Sequence, residues 1–329
     1  MSLQLHLSVH IELWLMKIPF RISGHLWDNN RVVVVELSDG EHTGRGEGMP
    51  VYYLDESVES LYQSIESVAE EIGCGIDREA LLKLMPPGGA RNAVDCALWD
   101  LEAKKSGKNI WDLTGIEPKS VITAFTIGIE GTPEAMAARA KEASIYPFLK
   151  IKVDEDRPVE RLAAIRAARP DADLMVDANQ AWTFEQLLDV SPKLAEMGVK
   201  LIEQPLPRGK DESLEGYRSP IPLCADESCQ HRGELDQACR RYQIINIKLD
   251  KAGGLTEALM LAQAARKQGL QLWVGNMGGT SLSIAPAFVL AQLCNYVELD
   301  GPLLLKYDRF PALRCEHGEI AVPDPRLWG

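Results

Sequence analysis

The sequence is short of several things, and each shortage removes a class of protein. It has no CxxC pair, and its seven cysteines are odd in number and scattered. That usage fits reduced thiols in a cytoplasmic protein rather than a disulfide framework or a zinc site. No apolar run approaches the roughly 20 residues that span a bilayer, so no membrane partner is expected. No N-terminal stretch has the charged, apolar, then small-residue order of a secretory signal. Basic residues are in deficit, with a net charge of −13, which argues against nucleic acid as a partner. No low-complexity segment interrupts the chain. What remains is ordinary for a globular protein, with 46% hydrophobic and 25% charged residues. At 329 residues it suggests one large domain or two moderate ones.

The stretch from Lys150 to Lys248 organises the rest. It contains FLKIKV, LMVDAN, KLIEQPLP, PLCADES and IINIKL, each a short apolar run that ends in charge. From Lys152 through Asp177, Glu203 and Asp226 to Lys248 the spacings are 25, 26, 23 and 22 residues. A strand, a helix and two short loops need roughly 20 to 35 residues. A charge therefore recurs at the C-terminal end of one strand after another. In a parallel α/β barrel those ends meet in one mouth, where active sites sit. Unrelated strands with charged caps would explain the pattern less well, because Lys, Asp and Glu are rarely buried unpaired.

Along the chain, residues 3 to about 50 read as antiparallel strands: Ser8–Trp14, Arg31–Leu37 and a Gly-rich strand near Thr43–Gly48. Pro19–Asn30 between the first two reads as a loop without strand period. Helical period begins at Ser57 and runs to about Ile72, and a second helix covers roughly Ala90 to Ser106. From Val121 strands and helices alternate. Eight strands are expected at Ile122–Ile127, Leu149–Val153, Leu174–Asp177, Leu201–Glu203, Leu223–Asp226, Ile244–Lys248, Leu272–Gly275 and Val297–Asp300. Helical patterns such as Pro133–Ala143 and Pro158–Ala168 separate them. The expected architecture is an α/β fold, a modified TIM barrel of (β/α)7β type over residues 116–304. An α+β capping domain over 1–115 precedes it, and residues 305–329 return to that cap.

The strand ends suggest a chemistry. Asp177, Glu203 and Asp226 end consecutive strands, and no His or Cys stands at those strand ends. Such a set suits a hard cation with oxygen ligands such as Mg²⁺. Without one, the acids would raise each other's pKa, unless each were paired with its own Lys or Arg. Lys150 and Lys152 share a strand face, and Lys248 lies four strands round. Two lysines on opposite sides of a substrate suit 1,1-proton transfer with inversion. A lysine serves as base only if its pKa falls toward neutral, and Lys150 and a cation are expected to lower it. A cation-bound carboxylate can take the second charge of an enediolate.

The segments LKIKV, MVDAN, LIEQP, ADES and NIKLDKAGG resemble the muconate-lactonizing-enzyme subgroup of the enolase superfamily. GRGEG and ARNAVDCALWDLEAKKSG extend the resemblance over nearly the whole chain. It implies Lys152 and Lys248 as acid/bases, Lys150 and Asn179 as support, and one Mg²⁺ per subunit on Asp177, Glu203 and Asp226. Lys251 does not match the family's base position. Leu272–Gly279 holds no His, unlike the mandelate-racemase subgroup. VELDGPLLL and GNMGG resemble dipeptide epimerases of the Ala-Glu type, whose Asp-x-Asp pair holds the substrate ammonium. Here Glu298 and Asp300 occupy those places. Arg21, His25 and Tyr52, on two loops expected to close over the site, are the candidates for side-chain selection. The resemblance thus implies a metal-dependent dipeptide epimerase with a small-molecule substrate and a possible homo-oligomer. An N-acylamino acid racemase, an o-succinylbenzoate synthase or a muconate-type cycloisomerase would use the same scaffold. A binding protein that kept the fold without activity is the third reading.

Overall fold

The computed structural model describes residues 4–329. The first unit is a three-stranded antiparallel sheet, β1 (His6–Ile22), β2 (His25–Ser38) and β3 (Thr43–Gly48). Helices α1 (Val58–Glu66), α2 (Ala69–Gly73), α3 (Arg78–Leu84), α4 (Gly89–Ser106) and α5 (Ile110–Thr114) follow. The Ser57 side chain caps α1 with a reciprocal bond from Ser60, the pairing that satisfies orphan amides at a helix start.

The GRGEG strand owes its glycines to close packing. A Cβ on Gly44, Gly46 or Gly48 would overlap the carbonyls of Ala97, Ala93 or Gly89 on α4. Only glycine lets the strand lie on the helix backbone.

Two expectations for this unit are corrected. Pro19–Asn30 is a strand hairpin rather than a loop, with Phe20 opposite Trp27 and Ile22 opposite His25. Gly24 at its tip has φ +73°, which glycine adopts without penalty. A register shift between Leu15 and Phe20 hid the alternation from the sequence. The helix expected over 57–72 is broken into α1 and α2 at Ser67–Val68.

After β4 (Val121–Ile122) comes the strand-helix alternation: β5 (Phe125–Ile127), α6 (Pro133–Glu142), β6 (Phe148–Lys152), α7 (Pro158–Ala168), β7 (Asp173–Asp177), α8 (Phe184–Glu196) and β8 (Val199–Glu203). It continues with β9 (Leu223–Ala225), α9 (Leu235–Arg241), β10 (Ile244–Ile247), α10 (Leu249–Ala252), α11 (Leu255–Lys267), β11 (Gln271–Val274), α12 (Ser281–Ala291), β12 (Tyr296–Val297) and α13 (Gly301–Leu304). The strands β5 to β12 form one sheet in chain order, and every recorded pair between them is parallel. Its two ends meet where the Ala124 amide donates to the Val297 carbonyl at 2.8 Å. The result is the modified TIM barrel, although a 3₁₀ turn at Glu212–Leu214 stands where a helix would join β8 to β9. The single strand expected at 122–127 is divided, because β4 leaves the barrel to pair with β14 (Glu319–Ile320), which also pairs with β13 (Cys315–Glu316).

The tail lies against the first unit. Trp328 Nε1 donates to the Cys96 carbonyl at 3.0 Å, and Arg309 pairs with Glu12 and Glu47 at 2.6 and 2.7 Å. No helix among the described residues is long and apolar enough to cross a membrane.

Candidate active site

The barrel register sets charged side chains beside one another. Lys152 lies opposite Asp177 across β6 and β7, and Asp177 opposite Glu203 across β7 and β8. Asp226 and Lys248 directly follow β9 and β10. Lys150, Asp177 and Glu203 have no exposed surface, and Lys152, Asp226 and Lys248 are nearly as deep. Charges this deep require partners.

The partners are one another. Lys152 Nζ is 2.6 Å from Asp177 Oδ2 and 3.1 Å from Asn179 Oδ1. Lys150 Nζ is 3.1 Å from Asp177, 2.7 Å from Glu203 and 2.9 Å from Glu298. Across the mouth, Lys248 Nζ is 2.7 Å from Asp226 Oδ2. The expected lowering of a base lysine relies on a bound cation as well as on Lys150; the protein's own groups act the other way on Lys248, and on Lys150 itself. Burial works against the Lys150 charge, but Glu203, Glu298 and Asp177 outweigh it and hold the ammonium well above its ordinary range. Burial likewise opposes Lys248, and the carboxylates led by Asp226 raise it. Asp177 and Asp226 show the counterpart. Burial would raise them, yet the facing lysines hold both below the usual carboxylate range.

Several contributors escaped the sequence reading. Lys251 Nζ binds Asp226 Oδ1 at 2.7 Å and the Asp226 carbonyl at 2.6 Å. Asn246 Nδ2 donates to Glu203 Oε1 at 2.7 Å. Gln204 Oε1 accepts from the amides of Asp226 and Ser228, both at 3.0 Å. Asn179 and Gln204, just beyond two strand ends, have φ of 42° and 36°. Strain of that kind concentrates where a site is held in place. The ADES motif contained the signal for Glu227. It is buried, and burial with the Asp226 and Asp177 charges pushes its carboxyl up to about 8.

Among the described residues no three His, Cys, Asp or Glu side chains are gathered as a ready-made metal cage. Lys150 and Lys152 share Asp177, and Lys248 and Lys251 share Asp226. The donor set still fits a divalent cation. Six buried carboxyls (Asp177, Glu203, Asp226, Glu227, Glu298, Asp300) face four buried lysines (Lys150, Lys152, Lys248, Lys251). The excess is two negative charges when all are ionised. Glu227 Oε2 is buried without a hydrogen-bond partner, and Glu203 Oε2 has the Lys150 ammonium beside it at 2.7 Å. Burial, reinforced by Asp177, pushes Glu203 up to about 8. An unpartnered carboxylate oxygen at Glu227, within an acid excess, suits a hard cation.

Above this centre lies a cavity of about 370 Å³ that reaches Lys152, Asn179, Asp226, Lys248, Glu298 and Asp300. Asp300 Oδ2 accepts from the Thr126 amide at 2.7 Å, and burial pushes its carboxyl up to about 6. Glu298 is less available than the sequence suggested, because Lys150 takes one oxygen and Thr126 Oγ1 the other at 3.0 Å. Tyr52 lines the cavity, but Arg21 and His25 do not. Both are exposed. Arg21 alternates outward between Phe20 and Ile22, which do line it, and His25 packs on Tyr52 at 4.3 Å between ring centres.

Residues 5–115 match the family described as the mandelate racemase/muconate lactonizing enzyme N-terminal domain, and 134–326 match the enolase C-terminal domain-like family. This chain belongs to the enolase superfamily. Among its superfamily relatives is the L-Ala-D/L-Glu epimerase of Escherichia coli, 45% identical over 95% of this chain and 98% of that one. An enolase family member from Agrobacterium tumefaciens with homology to dipeptide epimerases was solved with sodium and L-Ala-L-Glu. It is 42% identical, with a TM-score of 0.96 over 99% of this chain and all of that one. The dipeptide epimerase of Enterococcus faecalis, solved with Mg and L-Leu-L-Tyr, is 28% identical, with a TM-score of 0.89 over 98% and 97% of the two chains.

Proposed function

We propose that this protein is a Mg²⁺-dependent dipeptide epimerase that inverts the α-carbon of the C-terminal residue. The observation that carries the reading is one cavity with a lysine on each side, Lys152 and Lys248, and a buried acid at its rim, Asp300. Its relatives' names point the same way.

In this reading Asp177, Glu203 and Asp226 would hold the cation, which when bound would stabilise the negative charge that grows on the substrate carboxylate. Lys152 or Lys248 takes the α-proton from its own side, and the other returns a proton to the opposite side. Lys150, fixed as an ammonium, adds positive charge beneath the carboxylate. Asn179 orients Lys152 through their 3.1 Å bond. Asp300 pairs with the substrate ammonium, and Glu298 shapes the site through Lys150. Tyr52 covers the cavity.

Dialysed enzyme is given a dipeptide library in D₂O, with Mg²⁺ or with chelator. A one-mass-unit gain in a subset of dipeptides, only with Mg²⁺, is expected. Label in no dipeptide, with metal binding shown by calorimetry, would overturn the reading. Label in N-acetyl amino acids instead would favour racemisation of N-acylamino acids, which has no use for Asp300.

A further inference from the structure

Outside the charged centre, much of the cavity wall is apolar or aromatic, with Asn29, Asn30 and Ser57 among its polar members. Phe20, Ile22, Trp27, Met49, Tyr52 and Met277 line it. Glu56 and Glu59 are the acids at its cap side. The lining cations are Lys152, Lys248 and Arg31. The two lysines stand at the reacting centre.

Arg31 is committed elsewhere. Side chains on β2 alternate, with Val32 and Val34 in the barrel core and Val33 and Val35 in the core beneath α1 and α4. Asn30 shares the barrel side and bonds to the Gly278 carbonyl. Arg31 therefore points to the other side, where its Nη1 meets Glu59 on α1.

Arg21 cannot take its place. Its partner across the hairpin is Leu26, and both point outward, Leu26 with 66% exposure. The Ile129 amide donates to the Arg21 carbonyl at 2.8 Å and fixes the strand against the barrel. A one-residue slip of β1 that turned Arg21 inward would turn Phe20 and Ile22 out into water.

The reasoning rests on the epimerase reading above. With the ammonium at Asp300 and the carboxylate at the acids, this wall is what the dipeptide side chains meet. An anionic side chain would lose its water there, beside Glu56 and with Arg31 already paired to Glu59. An apolar one would bury surface against Trp27, Tyr52 and Phe20. We propose that the pocket selects dipeptides whose epimerised residue is uncharged and apolar or aromatic, and that it disfavours glutamate. This sets the chain apart from the relative named for glutamate.

The test compares kcat/KM for L-Ala-L-Leu, L-Ala-L-Phe and L-Ala-L-Glu at saturating Mg²⁺. The leucine or phenylalanine substrate should exceed the glutamate one by about tenfold or more. In Trp27→Arg the ratio of glutamate to leucine turnover should rise by about tenfold, because the new cation faces inward. L-Ala-L-Glu turned over as well as or better than the others would overturn the inference and leave the epimerase reading intact. An unchanged ratio in Trp27→Arg, with the variant folded, would also overturn it. Exchange in no dipeptide, with N-acetyl amino acids exchanged, would overturn the epimerase reading itself.

Discussion

Replacing Lys248 by alanine should stop proton transfer on one side of the substrate and spare the other. The side chain is buried, 2.7 Å from Asp226 Oδ2. Its nearest substitute, Lys251, is held by two bonds to Asp226 at 2.6 and 2.7 Å. No second base stands ready on that side. The loss of a positioned base costs about 10²–10⁴ in rate, and the upper end is expected here. That corresponds to about 5 kcal/mol of barrier. Asp226 keeps Lys251, so the folding cost is that of one unpaired buried oxygen, about 1–3 kcal/mol. The assay incubates each epimer of a preferred dipeptide separately in D₂O and follows the α-proton by NMR. One epimer should exchange through Lys152 without inverting, and the other should show neither exchange nor inversion. Equal loss from both epimers in a folded variant, or inversion at the wild-type rate, would refute the two-sided arrangement.

Other consequences concern the rim, the cap and pH. Asp300→Asn should weaken dipeptide KM by about 10- to 100-fold, the worth of one charge-assisted hydrogen bond, and leave metal affinity measured by calorimetry unchanged. Gly46→Ala puts a Cβ against the Ala93 carbonyl; the overpacking should cost about 1–3 kcal/mol and lower the melting temperature by a few degrees. Asp250 accepts from the Met49 amide at 2.9 Å and from Asn92 at 2.7 Å, and burial pushes its carboxyl up to about 7. Burial likewise pushes Asp95 up to about 6. Between the unfolded value near 4 and these folded values the native state holds more protons than the unfolded chain, so each group makes stability fall as pH rises. The slope is at most about 1.4 kcal/mol per pH unit per group. Asp250→Asn should flatten the melting-temperature profile between about pH 4 and 7; an unchanged profile would contradict the raised carboxyl.

The barrel was legible because its signal is repeated. Asp177, Glu203, Asp226 and Lys248 each follow an apolar run at intervals of 22 to 26 residues, and parallel strands turn that spacing into adjacency. The residues that hold these groups carry no such period. Lys251, Asn246 and Gln204 act through bonds that depend on loop geometry, and Glu227 was hidden beside Asp226. The hairpin at Pro19–Asn30 was misread because a register shift breaks its alternation. That same register decides that Phe20 and Ile22 face the cavity while Arg21 faces out. The partner of Glu298 was equally invisible, since Lys150 lies 148 residues away in the chain. The raised Lys150 and Lys248 were hidden for a related reason. The sequence gathers the charges without saying which carboxylate faces which lysine.

The most direct measurement is the fate of the α-hydrogen when wild-type enzyme converts a preferred protiated dipeptide in D₂O with Mg²⁺, sampled before one equivalent has turned over. A lysine on each side predicts that the inverted product carries deuterium from its first appearance, whichever epimer is supplied. Inverted product that keeps its original protium would mean that a single base moves the hydrogen between faces, and would contradict the account.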